Sequence, residues 1–132
     1  MVSFIRRPSM STLNVSNISD GTDTVATGYV VNGSAKAWGN LNGSGTPAFR
    51  DSFNYSSVVD NGTGDFTHNF TSNMANANYS LTATGTSSYA FWSVADNTGN
   101  TLAGSIKIRA YTSNVALADS QLIFSTIHGD LA

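Results

Sequence analysis

The sequence predicts an all-β domain, an antiparallel β-sandwich or jelly-roll-like fold preceded by an extended N-terminal arm. Three observations lead there. Glutamate is absent and lysine occurs only at Lys36 and Lys107, so the strong helix formers are thin apart from alanine. Thr, Val and aromatic residues fill the gaps between clusters of Gly, Asn and Ser, as strands do between turns. Those clusters recur at Asn32-Gly33, Asn42-Gly43-Ser44-Gly45, Asn61-Gly62, Asn97-Thr98-Gly99-Asn100 and Ser113-Asn114, the punctuation of a sandwich or barrel.

Length sets the frame. A chain of 132 residues is one ordinary domain that buries about two-thirds of its unfolded surface, so size alone demands neither metal nor disulfide. We divide it into an arm over residues 1–24, which anchors the protein or lies between subunits, and an all-β domain over residues 25–132. The arm mixes isolated apolar residues with Pro8 and the turn signal Ser19-Asp20-Gly21, leaving room for one strand. Arms of this composition gain order by lying against another subunit. The candidate strands that follow are Val25 to Val31, Ala35 to Leu41, Ala48 to Val59, Asp65 to Phe70, Tyr79 to Thr84, Ser88 to Ala95, Ser105 to Thr112 and Gln121 to His128.

The clearest element is the hairpin in "DSFNYSSVVDNGTGDFTHNF". Phe53, Tyr55, Ser57 and Val59 share one parity, and Phe66, His68 and Phe70 share another, as a half-buried strand pair requires. Between them Asp60-Asn61-Gly62-Thr63-Gly64 supplies residues that accept positive φ and let the chain reverse tightly. In "SIKIRAYT", Ile106, Ile108 and Ala110 point one way while Lys107, Arg109 and Tyr111 point the other, so one face is wet. "SYAFWSVA" and "SQLIFSTI" are apolar on both parities, which marks strands covered on both faces, with Trp92 the expected core residue.

Charge excludes several classes of partner. Only 11% of residues are charged, against about 25% in typical soluble domains, so Ser, Thr, Asn and Gly must supply the polar surface. A net charge of −2 and four mostly scattered arginines give no basic field for a phosphate backbone, and no nucleic acid partner is expected. Without cysteine there are no disulfides, zinc-thiolate sites or cysteine nucleophiles. No apolar run approaches the ~18 residues of a membrane span, and "MVSFIRRPSM" lacks the ~7 to 15 residue apolar core of a secretory signal. The expectation is a soluble product without membrane insertion, released from the cell by lysis.

Few constellations carry chemistry. Asp51, Asp60 and Asp65 flank the hairpin, and two converging carboxylates are what a glycosidase needs. The simpler reading is that Asp60 and Asp65 bond their own turn backbone. His68 shares a parity with Phe66 and Phe70 and reads as packed, while His128 has only Asp130 nearby, so no metal site and no cofactor are expected. "DNGTGD" has the oxygen-rich look of a calcium loop without its spacing or its closing glutamate. The N-x-S/T triplets, which begin at Asn14, read as turn and strand chemistry. Among the aromatics Trp38, Tyr29, Tyr89 and Tyr111, the candidate glycan contacts are Trp38, Tyr89 and Tyr111, since an aromatic face meets the apolar face of a pyranose; burial of each in the core or an interface is the simpler alternative.

The stretch from Asn32 to Leu81 resembles a recurring β-rich module of bacteriophage tail fibre and other virion structural proteins, frequent in phages of marine bacteria and cyanobacteria. The marks are Lys36-Ala37-Trp38, Asn42-Gly43-Ser44-Gly45, Arg50-Asp51-Ser52-Phe53-Asn54 and the run from Asp60 to Phe70, with a weaker continuation through "AGSIKIRAYTSN". Gly39 and Pro47 depart from the pattern by standing where β-formers are expected. The resemblance implies a structural β-domain exposed on the particle, a homotrimer, with no catalytic residues to carry over. The expectation is therefore a non-enzymatic virion protein of the tail-fibre or receptor-binding type, contacting host-surface glycan and attached to other virion proteins through the arm. The alternative is a capsid decoration or tail-structural protein that binds no receptor. A small glycan-cleaving enzyme using Asp51 and Asp65 is the third reading.

Overall fold

The computed structural model describes residues 13–86, 92–94 and 101–132. In chain order its elements are β1 (Asn17–Ser19), β2 (Thr24–Ala26), α1 (Thr27–Gly33), β3 (Ala37–Asn42), β4 (Ala48–Phe53), β5 (Tyr55–Gly62), β6 (Asp65–Phe70), β7 (Ser80–Thr86), β8 (Trp92–Val94), β9 (Thr101–Leu102), β10 (Ser105–Tyr111) and β11 (Leu122–His128). Two antiparallel sheets pack in a sandwich-like arrangement, in agreement with the predicted class. One has the order β4-β3-β11-β7, the other β5-β6-β10-β8 with β9 also on β10. β1 and β2 form a separate hairpin.

Period-two alternation builds the core. Phe66, His68 and Phe70 of β6 are buried, as are Ile106, Ile108 and Ala110 of β10, and Ile106 lies opposite His68 while Ile108 lies opposite Phe66. From the other sheet Ala37 and Leu41 of β3 meet Ile127 and Ile123 of β11. Met74 joins this apolar cluster from the stretch between β6 and β7.

The predicted strand over Ala48 to Val59 is two strands in different sheets. Asn54 makes the corner, with φ of 60° that Asn tolerates better than other side-chain-bearing residues. Its Nδ2 donates to the carbonyls of Lys36 (2.9 Å) and Ser72 (3.0 Å), and its Oδ1 accepts from the Ser72 N–H at 2.7 Å. Beyond the corner, register shifts at Tyr55/Ser57 and Asp60/Gly62 break the predicted parity. Tyr55 is buried but Ser57 and Val59 are exposed, Val58 takes the inward position, and Phe53 lies outside on β4.

Gly39 pairs on both sides in mid-sheet, with Ser52 and with Ser125, despite lacking a β-former's side chain. The reason is steric: a Cβ there would come within 3.0 Å of the Phe49 and Tyr55 rings, which occupy the space. Pro47 sits just outside β4, where its missing N–H costs no ladder bond.

The predicted strand Val25 to Val31 is corrected: it ends at Ala26 and continues as α1. Local propensity does not favour a helix in Thr-Gly-Tyr-Val-Val-Asn-Gly, and bonds from outside hold its ends. Thr27 bonds back to Val15 and Ser16, and the Lys36 ammonium, itself buried, donates to the carbonyls of Val31 and Ser34 and to the Ser34 hydroxyl. The β1–β2 turn uses Asp20, whose Oδ1 accepts the N–H groups of Thr22 and Asp23, and Gly21 at φ of 100°. Those N–H groups hold the exposed Asp20 carboxyl below its ordinary pKa.

At the C-terminal end, β11 is inward at Ile123, Ser125 and Ile127 only; Phe124 faces out. Of the predicted strand Ser88 to Ala95, the backbone of Trp92–Val94 pairs with β10, while the Trp92 side chain lies outside the described residues. So do the Asn97-to-Asn100 turn and Tyr89.

Candidate interaction surfaces

His68 is enclosed rather than exposed. Its ring meets Phe49 and Tyr55 edge-on, with centroids 5.0 and 5.1 Å away, and those two rings stack on each other at 5.1 Å. Tyr55 stacks further on Phe70, which Tyr79 meets edge-on. Neither His68 nitrogen has a hydrogen-bond partner, and burial pushes its pKa down to about 3, so the imidazole is neutral and serves as an aromatic filler. With no route to solvent it cannot exchange protons with a substrate. Burial also pushes the Tyr55 and Tyr79 hydroxyls up to about 12. The Tyr55 hydroxyl bonds Ser125 at 3.1 Å across the sandwich, and that of Tyr79 lies 3.0 Å from the carbonyl oxygens of Leu102 and Ser105.

The three hairpin carboxylates do not converge. Asp60 accepts the Gly62 N–H at 2.9 Å, as a turn-flanking aspartate does. Asp65 differs from its predicted role: its carboxylate crosses to β10, 2.9 Å from Arg109 Nε and 3.8 Å from Lys107 Nζ. Asp51 accepts the N–H of Ser52 on the outer face of the other sheet, so it and Asp65 look away from each other across the sandwich. Among the described residues no three His, Cys, Asp or Glu side chains gather to hold a metal, and no helix is long and apolar enough to cross a membrane.

The turn of the β5–β6 hairpin is pinned from the opposite side. Gly64, at φ of 64°, donates to Asp119 at 2.8 Å and accepts from Ala110 N–H at 2.8 Å. A Cβ at this position would lie 2.6 Å from the Ala118 nitrogen. The backbone of the hairpin turn at Gly64 is thus shaped by β10 and the segment that follows it.

Three exposed aromatics lie together on the outer face of the β4-β3-β11-β7 sheet. Trp38 (39% exposed) stands directly opposite Phe53 (52%), and on its other side opposite Thr126. Phe124 (38%) is one diagonal step away, opposite Asn40, which in turn opposes Asp51. Arg50, the extra residue at the register shift, borders this face by donating to Gln121 O at 2.5 Å, Asn42 Oδ1 at 3.2 Å and Asn40 Oδ1 at 3.4 Å. Tyr111 is half-buried on β10 of the opposite sheet, so it does not share a surface with Trp38. Phe53 and Phe124 were not singled out from the sequence. For Phe124 the signal available was parity, since it is out of phase with Ile123, Ser125 and Ile127; Phe53 shares its parity with the inward-packed Phe49, and only the register shift between Asn40 and Leu41 turns it outward.

The second exposed apolar region is residues 13–33. The hairpin and α1 add no residue to the core, and Tyr29 is 78% exposed. A shallow recess of about 540 Å³ beside it is lined by Ala26, Gly28, Tyr29, Asn32 and Gly33.

No family model, no curated protein and no solved structure matches the chain.

Proposed function

We propose that the chain is a non-enzymatic structural protein of a bacteriophage virion, a tail-fibre or receptor-binding-type module that assembles as a homotrimer and contacts host-surface glycan. The observation that carries the binding role is the aromatic face of Trp38, Phe53 and Phe124. Half-exposed rings held on a rigid sheet offer stacking surface for sugar rings, and Asn40, Asp51 and Thr126 beside them offer hydrogen bonds. The likeness of residues 32–81 to virion modules supplies the particle context. Tyr111, on the other sheet, would belong to a separate contact.

The test has two arms. Labelled protein is expected to bind host cells and to compete with phage adsorption, and Trp38→Ala together with Phe53→Ala is expected to abolish both while leaving the fold intact. Antibody labelling of intact particles locates the chain. Native protein that neither binds cells nor slows adsorption, yet binds emptied capsids, would replace this reading with capsid decoration. The exposed apolar stretch 13–33 favours that second reading as well, because a shell lattice could cover it.

A further inference from the structure

Between Leu13 and Gly33 every residue is exposed except Thr27, which is intermediate. Yet this segment is folded into a hairpin of three-residue strands and a seven-residue helix. Elements that short are marginal in water unless a packed face supports them, and here no side chain of the helix is buried. The missing support is apolar. Leu13, Val15, Ile18, Val25, Tyr29 and Val31 are all exposed, and Ile18 lies directly opposite Val25 on the hairpin. Summed over the six residues the exposed surface is on the order of 600 Å², against the roughly 800 Å² each partner contributes to a standard interface.

Charge narrows the occupant. The only ionisable residues of this segment are Asp20, Tyr29 and Asp23, and both acids belong to the hairpin turn. A surface whose only charges are confined to the hairpin turn suits the more apolar interfaces of homo-oligomers. Nor is the segment a loose tail. The Lys36 ammonium ties the end of α1 to the start of β3, and the Lys36 backbone is bonded to Ile127 and Asn54, so a contact made at α1 is held close to the sandwich.

We propose that the hairpin–helix unit, residues 13–33, is a self-association surface on which Ile18, Val25, Tyr29 and Val31 pack against the same region of further copies of this chain. The inference rests on the homotrimer in the reading above and names the surface that forms it. Covering the unit in this way buries the apolar side chains that the sandwich leaves in water.

The experiment uses the full chain in sedimentation velocity at micromolar concentration, with near-UV circular dichroism reporting the aromatic core. Wild type is expected to sediment as an oligomer. Y29S/V31D is expected to associate at least about tenfold more weakly while, apart from the loss of one tyrosine, the near-UV bands of the folded core are retained. Because the chain has no cysteine, V31C provides an independent reading. Oxidation is expected to cross-link copies of V31C but not of the control V59C, whose site is an exposed position on β5. An oligomer that survives Y29S/V31D, or a V31C chain that fails to cross-link, overturns the surface and leaves the virion reading standing. A monomeric wild type overturns both the surface and the trimer, whereas loss of cell binding with assembly intact bears on the receptor reading alone.

Discussion

Gly39 lies against the ring of Tyr55: a Cβ at position 39 would approach Cδ2 and Cε2 of that ring to 3.0 Å. The ring has little freedom to retreat, since it stacks on Phe49 and Phe70 and its hydroxyl bonds Ser125. Replacing Gly39 with valine, a better strand former in isolation, is therefore expected to destabilise the protein by about 1–3 kcal/mol. Thermal or denaturant unfolding measures it. A Gly39→Val chain as stable as wild type would mean that the ring cluster is more yielding than its packing implies.

Acid sensitivity follows from His68. Its folded pKa is about 3, below the ordinary 6.5, so between those values the unfolded state binds a proton that the folded state does not. Stability from this site is full above pH 6.5 and falls as pH drops through that window, by up to ~1.4 kcal/mol per pH unit. His68→Phe removes the titrating group while keeping an aromatic filler. Stability curves between pH 6.5 and 4.5 are expected to flatten by about one proton in the variant. Parallel curves for the two proteins would contradict the assignment.

Asn54 combines a positive φ with three side-chain hydrogen bonds at the crossing from one sheet to the other. Asn54→Ala loses the bonds and strains the backbone, and is expected to cost about 2–4 kcal/mol. Asn54→Gly relieves the strain without restoring the bonds and is expected to fall between alanine and wild type. If the two variants are equally unstable in chemical denaturation, the conformational part of the argument is wrong.

The outer aromatic face gives a binding prediction that stability does not confound. Trp38 and Phe53 are exposed, so alanine at both is expected to change unfolding free energy by less than about 1.5 kcal/mol while removing host-cell binding. Tyr111→Ala serves as the comparison on the opposite sheet. Equal loss of binding from both sheets would argue for a contact broader than the Trp38 face.

Much of the sandwich was legible because alternation is a local signal. β6 was readable from Phe66, His68 and Phe70, and β10 from Ile106, Ile108 and Ala110; each was found within one residue of its expected bounds. The features that escaped depend on partners distant in the chain. Asn54 turns a corner because Lys36 and Ser72 accept its amide, and α1 forms where a strand was expected because Thr27 and Lys36 hold its ends. The parity of β5 failed because its two register shifts answer to β6 rather than to its own residues. The same holds for the candidate site. Trp38 stood out as a residue type, but its companions Phe53 and Phe124 come from strands 15 and 86 residues away, and only the register β4-β3-β11 brings them together.

The placement of β3 has a mechanical consequence. It directly follows residues 13–33 and lies inside its sheet, hydrogen-bonded to β4 on one side and β11 on the other. Tension arriving from the N-terminal side thus enters a strand gripped along both edges, which must break two ladders together before it can leave. Had the same tether led into an edge strand such as β7, a single row of bonds could have peeled open one at a time.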